Sequence, residues 1–468
     1  MIQIPRSVAR KFRAVFRKTV LPGEPTPRPP AVLFHASRDG LVMRSQSIHV
    51  AVEYDLPGKF APEQLAIPLD ALERFEGRDD SPVSLESASG KIIARWTDSG
   101  VPQVVEFEAV DPKTLLGFPG RPETWASNTP DLLRAICDAS ETADESGVRH
   151  AVHLIQLRGK TGSVVGTDGR QLLIQSGFSF PFSEDVLVPR VPFFGCREFA
   201  GDAPIEVGKT ENYIAVRVSP WTFHLRLDKE GRFPRINSIV PDANAALATI
   251  RVSPEDAEFL AQTLPQLPGG DEPDSPVTID CNGFLAVRAI ANGQKTPTEL
   301  VLAHSEVSGQ AIRYASNRTY LARALNLGFR EFRLYGPGSL ALCQEDHRQY
   351  MWMGLGKDAI LAPADDAIRI TSVDAARTTS PKNGEAKKPV SNSPASNGKA
   401  NGKSTSKAAA KGHGIGAAID EAQALKTVLR DAYHRSSQLV VSLKRHRKQA
   451  KLMRSTIAAL RQLAPIEH

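Results

Sequence analysis

The sequence predicts an α+β protein made of three tandem copies of one module, followed by a disordered linker and a long helix. Three observations predict it. First, an order of elements recurs: an extended run, a short segment or helix, then three strand-like runs, with Val83, Ile205 and Phe332 opening the runs at separations of 122 and 127 residues. Repetition of a whole domain is the mark of a quasi-symmetric object. Second, the roughly 370 residues before the tail divide into three domains of ordinary size. Third, the apolar period changes near the C-terminus to alternating steps of 4 and 3, the spacing of a helical seam.

The elements follow in order. The first copy opens with a helix over 5–19, where Pro5 stands near the first turn and Val8, Phe12, Val15 and Thr19 form an apolar stripe. It continues with an extended run over 65–68, a helix over 69–75 and strands over 83–85, 92–96 and 104–107. The second copy has 186–189, a short segment over 191–199, then 205–207, 213–218 and 222–225. The third has 311–314, Ser316 in place of the proline, a helix over 317–327, then 332–334, 340–343 and 350–353. The opening helix returns behind Thr129-Pro130 and Ser253-Pro254, each a capping hydroxyl before a first-turn proline, with Asp256 placed for a capping box. Boundaries fall at 1–117, 118–246 and 247–363. In residues 214–218 and 222–225 apolar side chains recur at every second position, as in strands. Helix, strands, helix, strands implies antiparallel sheets with two helices covering one face.

Charge is unevenly spread. After Ser372 there are 18 Lys+Arg and 6 Asp+Glu, against 58 and 52 in the whole chain, so the tail carries +12 and the residues before it −6. An acidic body argues against indiscriminate adhesion to nucleic acid but leaves room for one basic face. The first helix supplies it. Arg6, Arg10, Arg13 and Arg17 repeat at helical spacing, Lys11 adds a further cation, and no acid occurs from residue 1 to 22. Like charges so arranged repel one another, and a polyanion compensates them. Four cysteines without a CxxC pair, no apolar signal core and no run near the roughly 20 residues needed to span a bilayer predict a soluble protein of a reducing cytoplasm.

Thr167-Asp168-Gly169-Arg170-Gln171-Leu172, and Gly231-Arg232-Phe233-Pro234 leading to Ile239-Val240-Pro241, resemble second-domain signatures of the bacterial DNA polymerase III beta subunit, the sliding clamp. The run 320–326, Phe332-Arg333-Leu334-Tyr335 and the closing 350–355 are similar to that family's C-terminus, so the resemblance spans about residues 1–360. It implies three clamp domains with sheets outside and helices inside, and a head-to-tail homodimer ring around duplex DNA, held without reading sequence. It further implies tethering of DNA polymerase III, association with the nucleoid, and contacts with polymerase and clamp-loader peptides. Phosphate contacts would come from the row on the first helix, from Arg28, and from Arg134, Arg318 and Arg323. The peptide groove carried over from the family comprises Val152, Thr167, Gly169, Arg170, Leu172, Pro234, Ile239, Tyr350, Met351, Trp352 and Met353. Departures exist: Arg170-Gln171 replaces the family's His-Arg, Asn237-Ser238 replaces an arginine pair, and Trp352 stands where proline is usual. Glu255, Asp256 and Glu258 also make the third copy's first helix acidic.

The tail has no counterpart in the family. Residues 364–414 read as a linker too poor in apolar side chains to order. Over 415–463 a basic helix carries a seam from Ala418 to Leu460, interrupted by Ser436 and by His446, a polar register device. Self-pairing or a partner helix, DNA contact and a solvated helix compete for it; pairing with auxiliary DNA affinity is favoured. The chain has no phosphate loop, HExxH, paired-cysteine zinc pattern or GxSxG elbow. His150 and His153 are spaced to face opposite ways on a strand, and Asp168 reads as turn chemistry. A non-catalytic protein without metal or cofactor is expected, either a working clamp or a clamp-derived scaffold that acts through its tail helix without binding polymerase.

Overall fold

The computed structural model of the chain describes residues 1–20, 30–145, 151–199, 201–236 and 238–373. Module 1 comprises β1 (Ile2–Pro5), α1 (Arg6–Thr19), β2 (Ala31–Ser37), β3 (Gly40–Gln46), β4 (Val50–Leu56), β5 (Glu63–Pro68), α2 (Leu72–Phe75), β6 (Pro82–Ala88), β7 (Lys91–Asp98) and β8 (Val101–Glu108). Module 2 repeats the order with β9 (Trp125–Asn128), α3 (Asp131–Thr142), β10 (Leu154–Arg158), β11 (Ser163–Thr167), β12 (Gln171–Gln175) and β13 (Asp185–Pro189). Two 3-10 turns, Pro192–Gly195 and Arg197–Phe199, stand where α2 stands in module 1, and β14 (Ile205–Lys209), β15 (Tyr213–Val218) and β16 (Trp221–Arg226) follow. Module 3 has β17 (Ala248–Arg251), α4 (Pro254–Thr263), β18 (Pro276–Asp280), β19 (Leu285–Ala289), β20 (Thr298–Leu302), β21 (Glu306–Gly309), β22 (Arg313–Asn317), α5 (Arg318–Asn326), β23 (Glu331–Leu334), β24 (Leu340–Gln344) and β25 (Arg348–Met353). One further strand, β26 (Ile368–Thr371), closes the described chain.

Each module contributes two half-sheets, and the modules are joined through them. Module 1's β5-β2-β3-β4 continues into module 2's β16-β15-β14-β9 because β4 pairs antiparallel with β16, Glu53 opposite Thr222. Module 2's β13-β10-β11-β12 continues in the same way into module 3's β25-β24-β23-β17-β21, with Leu173 opposite Tyr350. The rule is the same at both joints: the third strand of one module's first half-sheet meets the last strand of the next module. Two half-sheets remain, β1-β6-β7-β8 of module 1 and β22-β18-β19-β20 of module 3, and β26 adds to the second in parallel.

The apolar stripe on α1 decides where that helix packs. Val8, Phe12, Val15, Phe16 and Thr19 are buried, and the Phe12 ring stacks on Trp221 of module 2 at 5.9 Å. Each large apolar side chain so covered contributes about 1.5–3 kcal/mol. The helices form one layer: α1 packs on α2 and on the turn Pro192–Gly195, α3 packs on that turn, and α4 packs on α5. Lys18 Nζ lies 3.1 Å from Glu198 and Arg323 Nη1 2.9 Å from Glu141, so ion pairs link the layer across both module boundaries.

Local expectations are met at some elements and corrected at others. Ser253 Oγ accepts from Asp256 N at 3.1 Å, as a capping hydroxyl should. The Asp256 carboxylate does not return to the cap; its Oδ2 accepts from His304 N and Ser305 Oγ at 2.9 and 2.6 Å, fastening α4 to the loop after β20. Thr129 does not cap α3, because Pro130 occupies the N-cap position in helical conformation. The linker expected from 364 is overturned at its start: Ile368 and Ile370 alternate with Arg369 and Thr371 in β26. Low apolar content failed as a signal there because the strand uses backbone pairing and an ion pair. The rest of that linker, the helix over 415–463 with His446, and Arg28 and His150 lie outside the described residues.

Candidate functional site

The basic row on α1 divides into two pairs with different duties. Arg6 is 8% exposed; it pairs with Asp79 and Asp98 at 3.4 and 3.3 Å and donates to the carbonyls of Phe75 and Glu76. Arg13, 9% exposed, pairs with Glu73 and, at 3.2 Å, with Glu76. Burial raises the Glu76 carboxyl above its ordinary range even though Arg13 pulls it down. These two arginines tie α1 to α2, to the turn before β6 and to the end of β7, so they are not free to meet a phosphate. Arg10, Lys11 and Arg17 are exposed, and no carboxylate among the described residues pairs with them.

The other expected phosphate ligands also separate. Arg134 on α3 is exposed and unpaired among the described residues. Arg318 is buried and donates to the carbonyls of Leu264, Leu267, Pro268, Ser275 and Pro276, so it braces the chain between α4 and β18. Arg323 is spent on Glu141 Oε2, Thr142 Oγ1 and the Asp138 carbonyl at the boundary of modules 2 and 3. On its own helix, Arg134 is accompanied by the exposed acids Asp131 and Glu141, and α4 of module 3 exposes Glu255 and Glu258. The positive face of the helix layer is therefore concentrated on α1.

The Thr167-Asp168-Gly169 turn is built by its own side chains. Thr167 Oγ1 donates to Gln171 O at 2.6 Å and accepts from Gly169 N at 3.0 Å, while Asp168 Oδ1 accepts from Arg170 N and Gln171 N, both at 2.8 Å. Gly169 has φ +87°, open to glycine at no steric cost. Module 3 grips the turn: Tyr320 Oη donates to Asp168 Oδ2 at 3.2 Å, Tyr350 Oη to Gln171 Oε1 at 2.6 Å, and Arg170 pairs with Asp274. Burial and the Asp168 charge push the Tyr320 phenol well above its usual range.

Strand alternation sorts the expected groove residues. Leu172 and Met351 are cross-strand partners and are buried with Val165, Ile236 and Leu342 in one apolar cluster, rimmed by Ile174, Phe233, Val240 and Tyr335. Tyr350 and Trp352 are fully buried in the module 3 core, Trp352 Nε1 donating to Ser316 Oγ at 2.9 Å. They are corrections to the groove, since residues one position from Met351 on a strand point to the opposite face. Val152 and Thr167 are buried, Pro234 is half-buried, and Gly169 and Arg170 are exposed. Ile239 and Met353 are 42% and 44% exposed, large apolar surface beside that cluster's strands and loop. Ile236 was missed by sequence reasoning; its signal was an apolar residue two positions after Pro234.

No protein-family model matches the chain, and no curated protein matches it in sequence. Solved structures do. The DNA polymerase III subunit beta of Pseudomonas aeruginosa is 18% identical with a TM-score of 0.64, covering 76% of this chain and 99% of its own. The beta subunit of Thermotoga maritima is 11% identical with a TM-score of 0.62, covering 76% and 98%. The beta chain of Streptococcus pneumoniae is 13% identical with a TM-score of 0.62, covering 75% and 98%. Three modules joined by the same strand rule, with a helix layer crossing both joints, thus have the fold of the bacterial DNA polymerase III beta subunits, the sliding clamps, at low sequence identity.

Proposed function

We propose that this protein is a DNA sliding clamp: two copies close head to tail into a ring around duplex DNA and tether DNA polymerase III for processive synthesis. The observation that carries the reading is the pair of half-sheets left over by the two internal joints. β8 is the last strand of its module and β20 the third strand of its half-sheet, and a joint between copies that followed the rule of both internal joints would pair these two edges. A ring so closed needs only nonspecific phosphate contact, because topology prevents escape while the protein slides. Arg10, Lys11 and Arg17, with Arg134 and Arg28, are the residues for that contact. Polymerase and clamp-loader peptides would dock beside Leu172 and Met351, over Ile239 and Met353, where an adaptable methionine suits an extended peptide. The role is non-catalytic and the place of action the nucleoid in the cytoplasm; no helix among the described residues is long and apolar enough to cross a membrane.

A second reading has its own support. Ile236 is buried among the groove side chains, and α3 and α4 expose acids where DNA would lie. Both fit a clamp-derived scaffold that works through its C-terminal segment as a coiled-coil partner. Retention on duplex after loading separates the two readings. A clamp stays on closed circular DNA and runs off once the circle is cut; equal retention on circular and linear DNA refutes the ring.

A further inference from the structure

The joint edge of module 3 is already occupied by the chain itself. β26 lies along β20 in parallel, with Thr298 opposite Ile368, Glu299 opposite Arg369, Leu300 opposite Ile370 and Val301 opposite Thr371. Ile368 N donates to Pro297 O at 2.9 Å, and Ala303 N donates to Ser372 Oγ at 3.2 Å, so both ends of the strand are fixed. The approach is fixed as well. Thr278 Oγ1, on β18, accepts from Leu361 N at 2.8 Å and donates to Ala359 O at 3.4 Å. Thr296 Oγ1 donates to Asp366 Oδ2 at 3.3 Å.

The ion pair in this strand answers a demand of the sheet. Glu299 is fully buried, and Arg288 reaches both it and Asp280. Arg369 Nε approaches the other Glu299 oxygen at 2.7 Å. The same arrangement stands at the joint of modules 1 and 2, where buried Glu53 is held by Arg44 from the neighbouring strand and by Arg121 from the connection between modules. There the pairs hold the Glu53 carboxyl below its ordinary range against the opposing effect of burial. At each place a buried carboxylate on the third strand takes a second arginine from outside its half-sheet.

We propose that residues 364–372 are a strap that holds the β20 edge against a second copy of this chain, so that ring closure requires its release. The proposal rests on the ring reading above. The competitor is the β8 edge of another copy. β8 has eight residues against four in β26 and brings antiparallel pairing, the more stable per residue. It contains Glu106 and Glu108 and no Lys or Arg, so it offers Glu299 no replacement for Arg369. The strap, for its part, gains from being tethered to the same chain, which keeps it at high effective concentration. A short tethered strand with one matched charge against a longer untethered strand without it makes a switch set by protein concentration.

The test measures self-association of the full chain by sedimentation over a concentration series, with folding checked by circular dichroism. Arg369→Glu places like charges opposite each other, and Ile370→Pro acts through the backbone if Arg369→Glu disturbs the sheet. A companion pair, Val101→Glu with Val104→Glu, alters the exposed side chains of β8, which are 56% and 58% exposed. The expected result is self-association of the strap variants about tenfold or more tighter than that of the unaltered chain, and lost when the β8 changes are added. If unaltered and strap-variant chains associate equally, and the β8 changes abolish both, the ring stands and the strap proposal is wrong. If the folded strap variants associate no more tightly than the same chains carrying the β8 changes, the ring reading fails and the strap falls with it.

Discussion

Replacing Arg10 and Arg17 together by alanine tests the basic face of α1. With Lys11, these exposed residues give α1 three cations per copy that no carboxylate among the described residues pairs with, and a ring of two copies then makes about six phosphate contacts through α1. Each contact releases counterions and contributes about −0.9 to the slope of log affinity against log salt, so α1 should contribute about −5 to the slope of the unaltered protein. The double variant keeps about two of these α1 contacts and an α1 contribution of about −2. Between about 50 and 200 mM salt the α1 contacts account for about a thousandfold loss of affinity in the unaltered protein and about tenfold in the variant. Anisotropy of a labelled linear duplex, titrated over a salt series, reads this directly. Arg6→Ala is the matched control, since Arg6 serves Asp79, Asp98 and two carbonyls. It should leave the slope alone and cost about 1–3 kcal/mol of stability in denaturant unfolding. A double variant that keeps the unaltered slope would refute the assignment of α1 to phosphate.

His224, fully buried beside Phe118 at the joint of modules 1 and 2, has its pKa pushed down by burial to about 4. The unfolded chain binds that proton near pH 6.5 and the folded one does not until about pH 4, so stability falls as pH drops through this window, by about 3 kcal/mol in all. His224→Leu should flatten that part of a stability profile measured by denaturant unfolding, and an unchanged profile would count against the assignment. Burial pushes the thiols of Cys137 and Cys281 up to about 12 and raises Cys343 as well, while Cys196 is half-buried. A thiol reagent at neutral pH should therefore label Cys196 alone in the folded protein and all four cysteines in denaturant, counted by mass spectrometry; rapid labelling of Cys281 in the folded state would contradict the packing. Met353→Asp with Ile239→Asp should weaken capture of a clamp-binding peptide about tenfold or more with a smaller change in stability than a core substitution, because both side chains are partly exposed; unchanged peptide affinity would place the docking surface elsewhere.

Several features were legible because they are local. Val8, Phe12, Val15 and Thr19 share a stripe by spacing alone, and all four are buried. Ser253 before Pro254 announces the start of α4, and the hydroxyl caps it. Alternation in 213–218 and 222–225 marks β15 and β16. The Thr167-Asp168-Gly169 run announces a turn, and its hydrogen bonds are those of a turn.

What the sequence determined by itself was thus the periodic and the local: three similar modules, their helices and strands, and a row of arginines on one helix. Tertiary structure alone decided how that row is spent, because the carboxylates that claim Arg6 and Arg13 lie 60 to 92 residues away and arrive only when α2, the turn that follows it and the end of β7 come up to α1. It also decided that Tyr350 and Trp352 face the core while Met351 faces the groove cluster, since alternation says which residues share a face but not which face meets which neighbour. The strap follows the same logic. Four residues with one apolar alternation carry no distinctive local signal, and they become a strand only where an open edge and a buried Glu299 await Arg369.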